Sequence, residues 1–246
     1  MIPIRDNVPR LTSPYGVSLI IVINVLVFLY VLTLGSRDLA YLYHLFGVVP
    51  ARFFSPDWAA WAGYPDTLGW PLFSYMFLHG GWLHVVLNMW MLWLFGDNIE
   101  DVTGHGRFVL FYLLCGLAAV SLHMVFESDS TIPIVGASGA VAGVMGAYVF
   151  LYPHGRVTVL VPIIIIPLFF QVPSFLFLGI WFLSQVASGI TSSAQQAAHG
   201  VAWWAHVGGF VAGVILIRWF KRPGSCKYCY NPDTKDYDPE SSNRNL

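Results

Sequence analysis

Residues 136–152 read GASGAVAGVMGAYVFLY, an uncharged run that opens with a serine between small residues. Residues 201–220 read VAWWAHVGGFVAGVILIRWF and carry a histidine, His206, near their start. Both runs are apolar enough to lie in a bilayer, where a hydroxyl or an imidazole is costly without a partner or a function. They predict a helical membrane bundle in which Ser138 and His206 carry chemistry.

The composition of the whole chain supports a membrane protein. Of its 246 residues, 57% are hydrophobic and 10% are charged, whereas about a quarter are charged in soluble domains. The net charge of -1 indicates no nucleic-acid partner. Lipid is the partner that such a surface predicts.

Six apolar runs predict an all-α bundle of six spans. They cover residues 17–34, 80–95, 108–126, 139–152, 173–188 and 201–220. We expect one domain over residues 17–220. The fourth run would be a helix of roughly 21 Å, too short for a full hydrocarbon core. It would leave room for water above Ser138.

Basic residues predict the orientation of the spans. Most lie in segments that six spans place on one side of the membrane. The positive-inside rule puts residues 1–16 and 221–246 in the cytoplasm, and we expect a bacterial plasma membrane. No small-residue cleavage site follows the first run, which we interpret as a retained signal anchor.

A further apolar segment, residues 157–171 (VTVLVPIIIIPLFFQ), bears on this topology. Pro162 and Pro167 would break the hydrogen-bond ladder of a helix, so we expect an interfacial or re-entrant segment on the cytoplasmic side. Ser138 and His206 then both lie near the outer surface. A seventh span would separate them by roughly 15 to 20 Å in depth.

Two segments lie outside the spans. The loop of residues 35–78 is long for a helix connector and rich in aromatic residues, which anchor at the headgroup level. We expect it to be structured and half-submerged in the outer leaflet. Residues 221–246 are polar, and we expect a disordered tail.

The motif Gly136-Ala137-Ser138-Gly139 places a hydroxyl at the start of a helix. The first N–H groups of a helix have no partner within it, so they can hold the oxyanion of a tetrahedral intermediate. Glycines let a substrate backbone approach closely. The alternative is structural, in which Ser138 caps the helix and Gly139 belongs to a packing face.

His206 shares a helical face with Gly209 and Gly213, three and seven residues later. This ridge of small residues would let the sixth run pack closely on the fourth and bring the imidazole within hydrogen-bonding distance of Ser138. A histidine that only bridges two helices is the alternative.

His84 and Asn88 lie four residues apart on the second run and so share a face. Both can donate to a developing oxyanion, or they can form interhelical hydrogen bonds worth roughly 0.6 to 2 kcal/mol. The six runs contain no acidic residue. A Ser-His dyad remains, without the carboxylate that fixes the imidazole tautomer, and we expect a slow enzyme.

Cys226 and Cys229 form a Cys-x-x-Cys motif in the tail. Two thiols do not make a zinc site, and in a reducing cytosol we expect them to be free. A zinc ion shared between two chains is the alternative, so their role stays open.

Four separated blocks resemble the rhomboid intramembrane serine proteases, in the order found in that family. They are residues 77–84 (FLHGGWLH) with Asn88, 95–101 (FGDNIED), 136–139 (GASG) and 202–209 (AWWAHVGG). The resemblance covers residues 68–220 and is to compact bacterial-type members with six spans.

The resemblance implies a role for each candidate residue. Ser138 is similar to the nucleophile and His206 to the general base. His84, Asn88 and the Ser138 amide resemble the oxyanion hole, and Gly136 the glycine of the GxSG motif.

The resemblance also implies a fold and a reaction. The fold is a helical bundle with a water-filled cavity open to the outside. The implied reaction is cleavage of membrane-spanning substrates near their extracytoplasmic ends, without metal or cofactor. Substrate would enter between the second and fifth spans.

The sequence departs from the family pattern at two places. Trp70 precedes Pro71, where many members carry Trp-Arg, which bears on how the first loop is anchored. Ala142 stands where some members stack an aromatic ring on the histidine. His206 must therefore be oriented in another way, of which packing alone is one.

Two other functions remain open. A non-catalytic relative could bind membrane helices, although such relatives usually lack the serine or the histidine. A proton channel could use His84, Asn88 and His206 as a relay, although it would need polar groups through the full depth. Here they gather in the outer half.

Overall fold

The computed structural model describes residues 2–65, 69–163, 166–195, 201–222, 228–231 and 236–239, which are mostly helical. The helices are α1 (Tyr15–Val31), α2 (Ser36–Phe46), α3 (Pro50–Phe54), α4 (Pro56–Trp61), α5 (Pro71–Ser74), α6 (Trp82–Thr103), α7 (His105–Phe126), α8 (Ser138–Leu151), α9 (Ser174–Gln195) and α10 (Trp203–Phe220), with a 3-10 turn at Tyr75–Phe77. The strands are β1 (Ile2–Asp6), β2 (Arg156–Ile163), β3 (Ile166–Pro173), β4 (Tyr228–Asn231) and β5 (Asp236–Pro239).

Long apolar helices support a membrane bundle. Within the described residues, α7, α9 (over Ser174–Ser193) and α10 are long and apolar enough to cross a bilayer. Helices α1 and α8 are apolar but shorter. The helices occur in the order of the predicted runs, and the number of six spans stays a prediction.

Helix α8 lies at the centre of the bundle. All its residues from Gly139 to Tyr148 are buried, and it packs against α6, α7, α9 and α10. A Cβ at Gly209 would lie 1.9 Å from the Gly139 carbonyl oxygen, and one at Gly213 would lie 1.8 Å from that of Gly143. Helices α8 and α10 therefore touch backbone to backbone, as the small residues predict.

Two carboxylates at the end of α6 hold the chain that leads into α1. Glu100 is 1% exposed and accepts the N–H groups of Gly16 and Val17, each at 2.7 Å. Asp101 accepts those of residues 11 and 12 at 2.7 and 2.9 Å. Because the N-terminus of a helix carries partial positive charge, Glu100 stabilises the start of α1.

The helical bundle agrees with the predicted fold class, and a small three-stranded sheet, which the sequence analysis did not predict, accompanies it. Strands β2 and β3, which cover most of the apolar segment after α8, pair antiparallel, and β1 pairs with β2. Pro162 and Pro167 lie opposite each other in β2 and β3. The prolines disfavour a helix in this segment, and its β-branched residues favour strands. Neither strand is a membrane-spanning helix, and the side of the membrane on which these strands lie stays a prediction.

The sheet connects α6 with α9. On one edge, the Trp90 indole N–H in α6 donates to the Pro3 carbonyl of β1 at 2.7 Å. On the other edge, β3 ends at Pro173 and α9 begins at the next residue. The Ser174 N–H donates to the Gly155 carbonyl at 2.6 Å, which ties the start of α9 to the beginning of β2.

The loop of residues 35–78 is structured where the structure describes it, as predicted. The Trp70 indole donates to the Leu45 carbonyl at 3.2 Å, and the Ser74 hydroxyl donates to the Phe46 carbonyl at 2.6 Å. Pro71 occupies the first position of α5, which proline favours. These bonds anchor the loop without the Trp-Arg pair. Its depth in the lipid stays a prediction.

The tail departs from the expectation of disorder at two short segments. Strands β4 and β5 pair as an antiparallel hairpin, with Tyr230 opposite Tyr237. Aromatic residues favour strands, which the polarity of the tail concealed. Cys229 lies in β4, and Cys226 lies outside the described residues.

We predict that Gly213→Ala destabilises the protein, because the added methyl group would meet the Gly143 backbone, which cannot rotate away. Overpacking of this kind costs about 1–3 kcal/mol or more. Thermal unfolding in detergent measures the loss, with Gly179→Ala in α9 as control, since a Cβ there meets nothing within 4 Å. Equal melting temperatures for the two variants would contradict the backbone contact.

We predict that Asp6 makes stability depend on pH. The Asp6 carboxyl accepts the Tyr148 hydroxyl at 2.5 Å, and burial raises its pKa to about 6, although that hydrogen bond acts in the opposite direction. The folded state thus binds the proton more tightly than the unfolded state. Wild-type stability should fall by up to about 3 kcal/mol as the pH rises from about 4 to about 6.

Asp6→Asn removes this titration. Thermal unfolding at a series of pH values should show that the stability of the variant increases relative to that of the wild type between about pH 4 and about pH 6. Asp38→Asn, a change at an exposed carboxylate, is the control and should follow the wild type. Parallel curves for Asp6→Asn and wild type would exclude a role for burial of Asp6.

Candidate active site

Ser138 is the first residue of α8, so its N–H has no partner within the helix. The preceding turn depends on Gly136, whose φ of +129° lies in the region that favours glycine. The Gly136 N–H donates to the Tyr75 carbonyl at 2.9 Å, which fixes the turn to the 3-10 segment. The serine is thereby held, partly exposed, at a helix N-terminus.

His206 is the fourth residue of α10. Its Nε2 lies 2.9 Å from the Ser138 Oγ. This is the proximity that the small-residue faces predict, because Gly139 and Gly209 bring the two helices together beside this pair. A hydroxyl at this distance can donate its proton to a neutral imidazole.

The other ring nitrogen of His206 contacts a residue that the sequence analysis missed. Its Nδ1 lies 2.8 Å from the Gln185 Oε1 in α9. Gln185 is 6% exposed. One feature of the sequence could have identified Gln185: it is a single amide in an otherwise apolar part of the fifth run. A buried amide needs a hydrogen-bond partner.

His84 and Asn88 lie on the other side of the serine turn. A Cβ at Gly136 would lie 2.7 Å from the His84 ring and 3.8 Å from the Asn88 Nδ2. These two predicted donors therefore lie beside the turn that leads into Ser138, whose own N–H is the third. Donors arranged in this way can stabilise an oxyanion.

His79 positions Asn88. The Asn88 Nδ2 donates to the His79 Nε2 at 3.0 Å, and the His79 side chain is fully buried. Because an amide nitrogen carries two hydrogens, the second remains for an oxygen in the cavity. The sequence analysis gave His79 no part in the site, since its nine-residue separation from Asn88 matches no helical spacing.

A cavity of about 970 Å³ contains this constellation. Ser138, His206, His84, Asn88 and Gln185 all line it. Residues of α6 between Trp82 and Met91 line it, as do residues of α9 between Phe177 and Ser192, and Pro3 of β1 also lines it. The cavity is large enough for an extended peptide segment with water.

The electrostatic character of the cavity is nearly neutral. Glu127, at the outer end of α7, is the single carboxylate among its described lining residues. The described residues contain no group of three or more His, Cys, Asp or Glu side chains that could hold a metal ion. The chemistry available from these side chains is proton transfer, nucleophilic attack and oxyanion stabilisation.

Known proteins resemble this chain over the segment that contains the site. The rhomboid domain family matches residues 67–223, more than half of the chain. Rhomboid protein 1, mitochondrial, of Saccharomyces cerevisiae is 30% identical over 145 residues, which are 56% of this chain and 38% of the yeast protein.

Two further relatives match shorter segments. Rhomboid protease GluP of Bacillus subtilis is 37% identical over 87 residues, 35% of this chain and 17% of that protein. RHOMBOID-like protein 6, mitochondrial, of Arabidopsis thaliana is 41% identical over 78 residues, 32% of this chain and 25% of that protein. The chain thus spans less than two fifths of the length of each of these relatives.

We predict that Gly136→Ala inactivates the serine. The alanine would be strained at this φ, and its Cβ would displace the His84 ring. Loss of one oxyanion donor costs about 10²- to 10³-fold in rate, and labelling of Ser138 by a fluorophosphonate should slow accordingly. Gly106→Ala, where a Cβ meets nothing within 4 Å, is the control. Equal labelling of both variants would contradict the prediction.

Proposed function

Because this chain belongs to the rhomboid family, we propose that it is a serine endopeptidase that cleaves membrane-spanning proteins within the bilayer. The observation that carries the proposal is the 2.9 Å contact between the Ser138 hydroxyl and the His206 Nε2 at the wall of a cavity. The relative named Rhomboid protease GluP supports protease activity in the family.

The reaction begins with proton transfer. His206 takes the hydroxyl proton as Ser138 attacks the scissile carbonyl, and the carbonyl oxygen becomes an oxyanion. The Ser138 N–H, His84 and Asn88 donate to that oxygen. His206 then returns the proton to the leaving amine.

The second half of the reaction releases the acyl group. A water molecule in the cavity attacks the ester on Ser138, with His206 again acting as general base. Because the bundle is apolar around the site, water must reach it through the cavity. Neither a metal nor a cofactor is needed in this scheme.

The substrate is a membrane-spanning segment that enters between α6 and α9. Both helices contribute residues to the lining of the cavity. A carbonyl within an intact helix is already hydrogen-bonded, so the segment must unwind locally before attack. Helix-breaking residues near the cut are therefore a preferred feature of the substrate.

The same scheme defines the proposed location. The positive-inside rule places the termini in the cytoplasm and the outer ends of α8 and α10 on the opposite face. In a bacterial plasma membrane, cleavage would then occur near the extracytoplasmic end of the substrate.

We predict that Ser138→Ala and His206→Ala each abolish cleavage of a single-span substrate in detergent. Loss of either partner of such a pair costs about 10⁴-fold or more in kcat. A fluorophosphonate should label the wild type and not Ser138→Ala. The controls are Ser121→Ala, whose hydroxyl bonds only within α7, and His44→Ala in the loop.

Three outcomes are decisive. Cleavage that persists in both variants would reject the dyad. A wild-type protein that binds the substrate without cleaving it, and that the fluorophosphonate does not label, would instead indicate a non-catalytic helix-binding relative. Proton flux without cleavage would indicate a channel.

A further inference from the structure

We propose that Gln185 is a positioning residue that holds neutral His206 in the tautomer with hydrogen on Nδ1 and a lone pair on Nε2. This inference rests on the proposed function, and it assigns to an amide the orienting role that a carboxylate has in a Ser-His-Asp triad.

The neighbours of Gln185 fix the orientation of its amide. The Nε2 donates to the Trp181 carbonyl at 3.1 Å and to the Ser184 Oγ at 2.8 Å. The Ser184 hydroxyl uses its own hydrogen on the Trp181 carbonyl at 2.6 Å, so its oxygen is free to accept. Exchanging the amide oxygen and nitrogen would place two oxygens against each other at Trp181.

The orientation of the amide decides the tautomer of His206. With its nitrogen occupied, Gln185 presents its Oε1 to the Nδ1 at 2.8 Å. An amide oxygen only accepts, so the Nδ1 must carry the hydrogen. The Nε2 then carries the lone pair that faces the Ser138 hydroxyl, as a general base requires.

No other described neighbour makes this choice. The rings of Trp181 and Trp203 lie 5.9 and 6.0 Å from the His206 ring, centroid to centroid. They restrict where the ring can lie but do not distinguish one nitrogen from the other. Ala142 of α8 has no side-chain donor or acceptor with which to make a hydrogen bond.

The neutral amide also has a cost. When His206 becomes an imidazolium, a carboxylate partner would balance the charge, whereas Gln185 supplies only a dipole. Gln185 therefore orients the imidazole of His206 but does not neutralise the positive charge that the imidazole gains. This accounts for the slow turnover expected of a dyad.

The test uses two changes at one position. Gln185→Leu keeps the volume and removes the acceptor, whereas Gln185→Glu keeps an acceptor at the same atom and, when protonated, still donates to the Trp181 carbonyl. In metal sites, loss of the partner that orients a histidine costs about 10- to 100-fold. We expect kcat to fall by a comparable factor in Gln185→Leu, with KM changed by less than about twofold. Gln185→Glu should recover most of kcat.

A matched control and a direct readout separate positioning from folding. Thr191→Val removes a polar group of α9 whose hydroxyl bonds only to the Ala187 carbonyl, and it should leave kcat unchanged. The ¹⁵N spectrum of histidine-labelled protein, assigned with His206→Ala, reports the tautomer without any activity. It should show hydrogen on Nδ1 in the wild type and a mixture in Gln185→Leu.

The outcomes distinguish this inference from the proposed function. If the fluorophosphonate labels wild-type Ser138 but Gln185→Leu keeps its kcat, the positioning role is wrong and the peptidase stands. If KM rises, the melting temperature falls and Gln185→Glu gives no recovery, Gln185 only joins α9 to α10. If the wild type is unreactive, the peptidase fails while the spectrum still decides the tautomer.

Discussion

The backbone contact between α8 and α10 is the constraint on which the rest of the structure depends. Gly139 faces Gly209, and Gly143 faces Gly213, at distances that exclude any side chain. In lipid, helices gain little from burying apolar surface, so close van der Waals packing must hold them together. The same contact sets the distance between the hydroxyl on one helix and the imidazole on the other.

Around this contact, the polar side chains of the site are placed by specific neighbours. Gly136 turns the chain so that Ser138 starts α8, and its missing side chain leaves space for the His84 ring. His79 holds Asn88 from behind, and Gln185 meets the far nitrogen of His206. Unpaired polar groups are expensive in an apolar bundle, so this network also specifies how the helices assemble.

The sequence predicted the parts of the site that short motifs encode. Ser138 and Gly136 lie within four residues, and His206, Gly209 and Gly213 follow the period of one helix. The sequence analysis missed Gln185 because its contact with His206 joins two different helices at a separation of 21 residues. No local spacing records such a pair, and a single amide in an apolar run is equally compatible with a bond to its own helix.

The same contrast between local and long-range features holds for the fold. Hydrophobic runs predicted the helices, because a helix in lipid satisfies its own backbone. The sheet was missed because its first strand comes from residues 2–6 and the other two from residues 156–163 and 166–173, far apart from the first in sequence. The prolines of the other two strands correctly excluded a helix there, but they did not indicate the partner strand.

The sheet also limits how α9 can move. Hydrogen bonds link β1 to α6 through Trp90, and the start of α9 is held at Ser174. A motion that keeps these bonds cannot shift α9 sideways as a rigid rod. It can tilt the helix about its Ser174 end, so that the displacement grows along α9 away from that end. Gln185, halfway along the helix, would then be drawn away from His206.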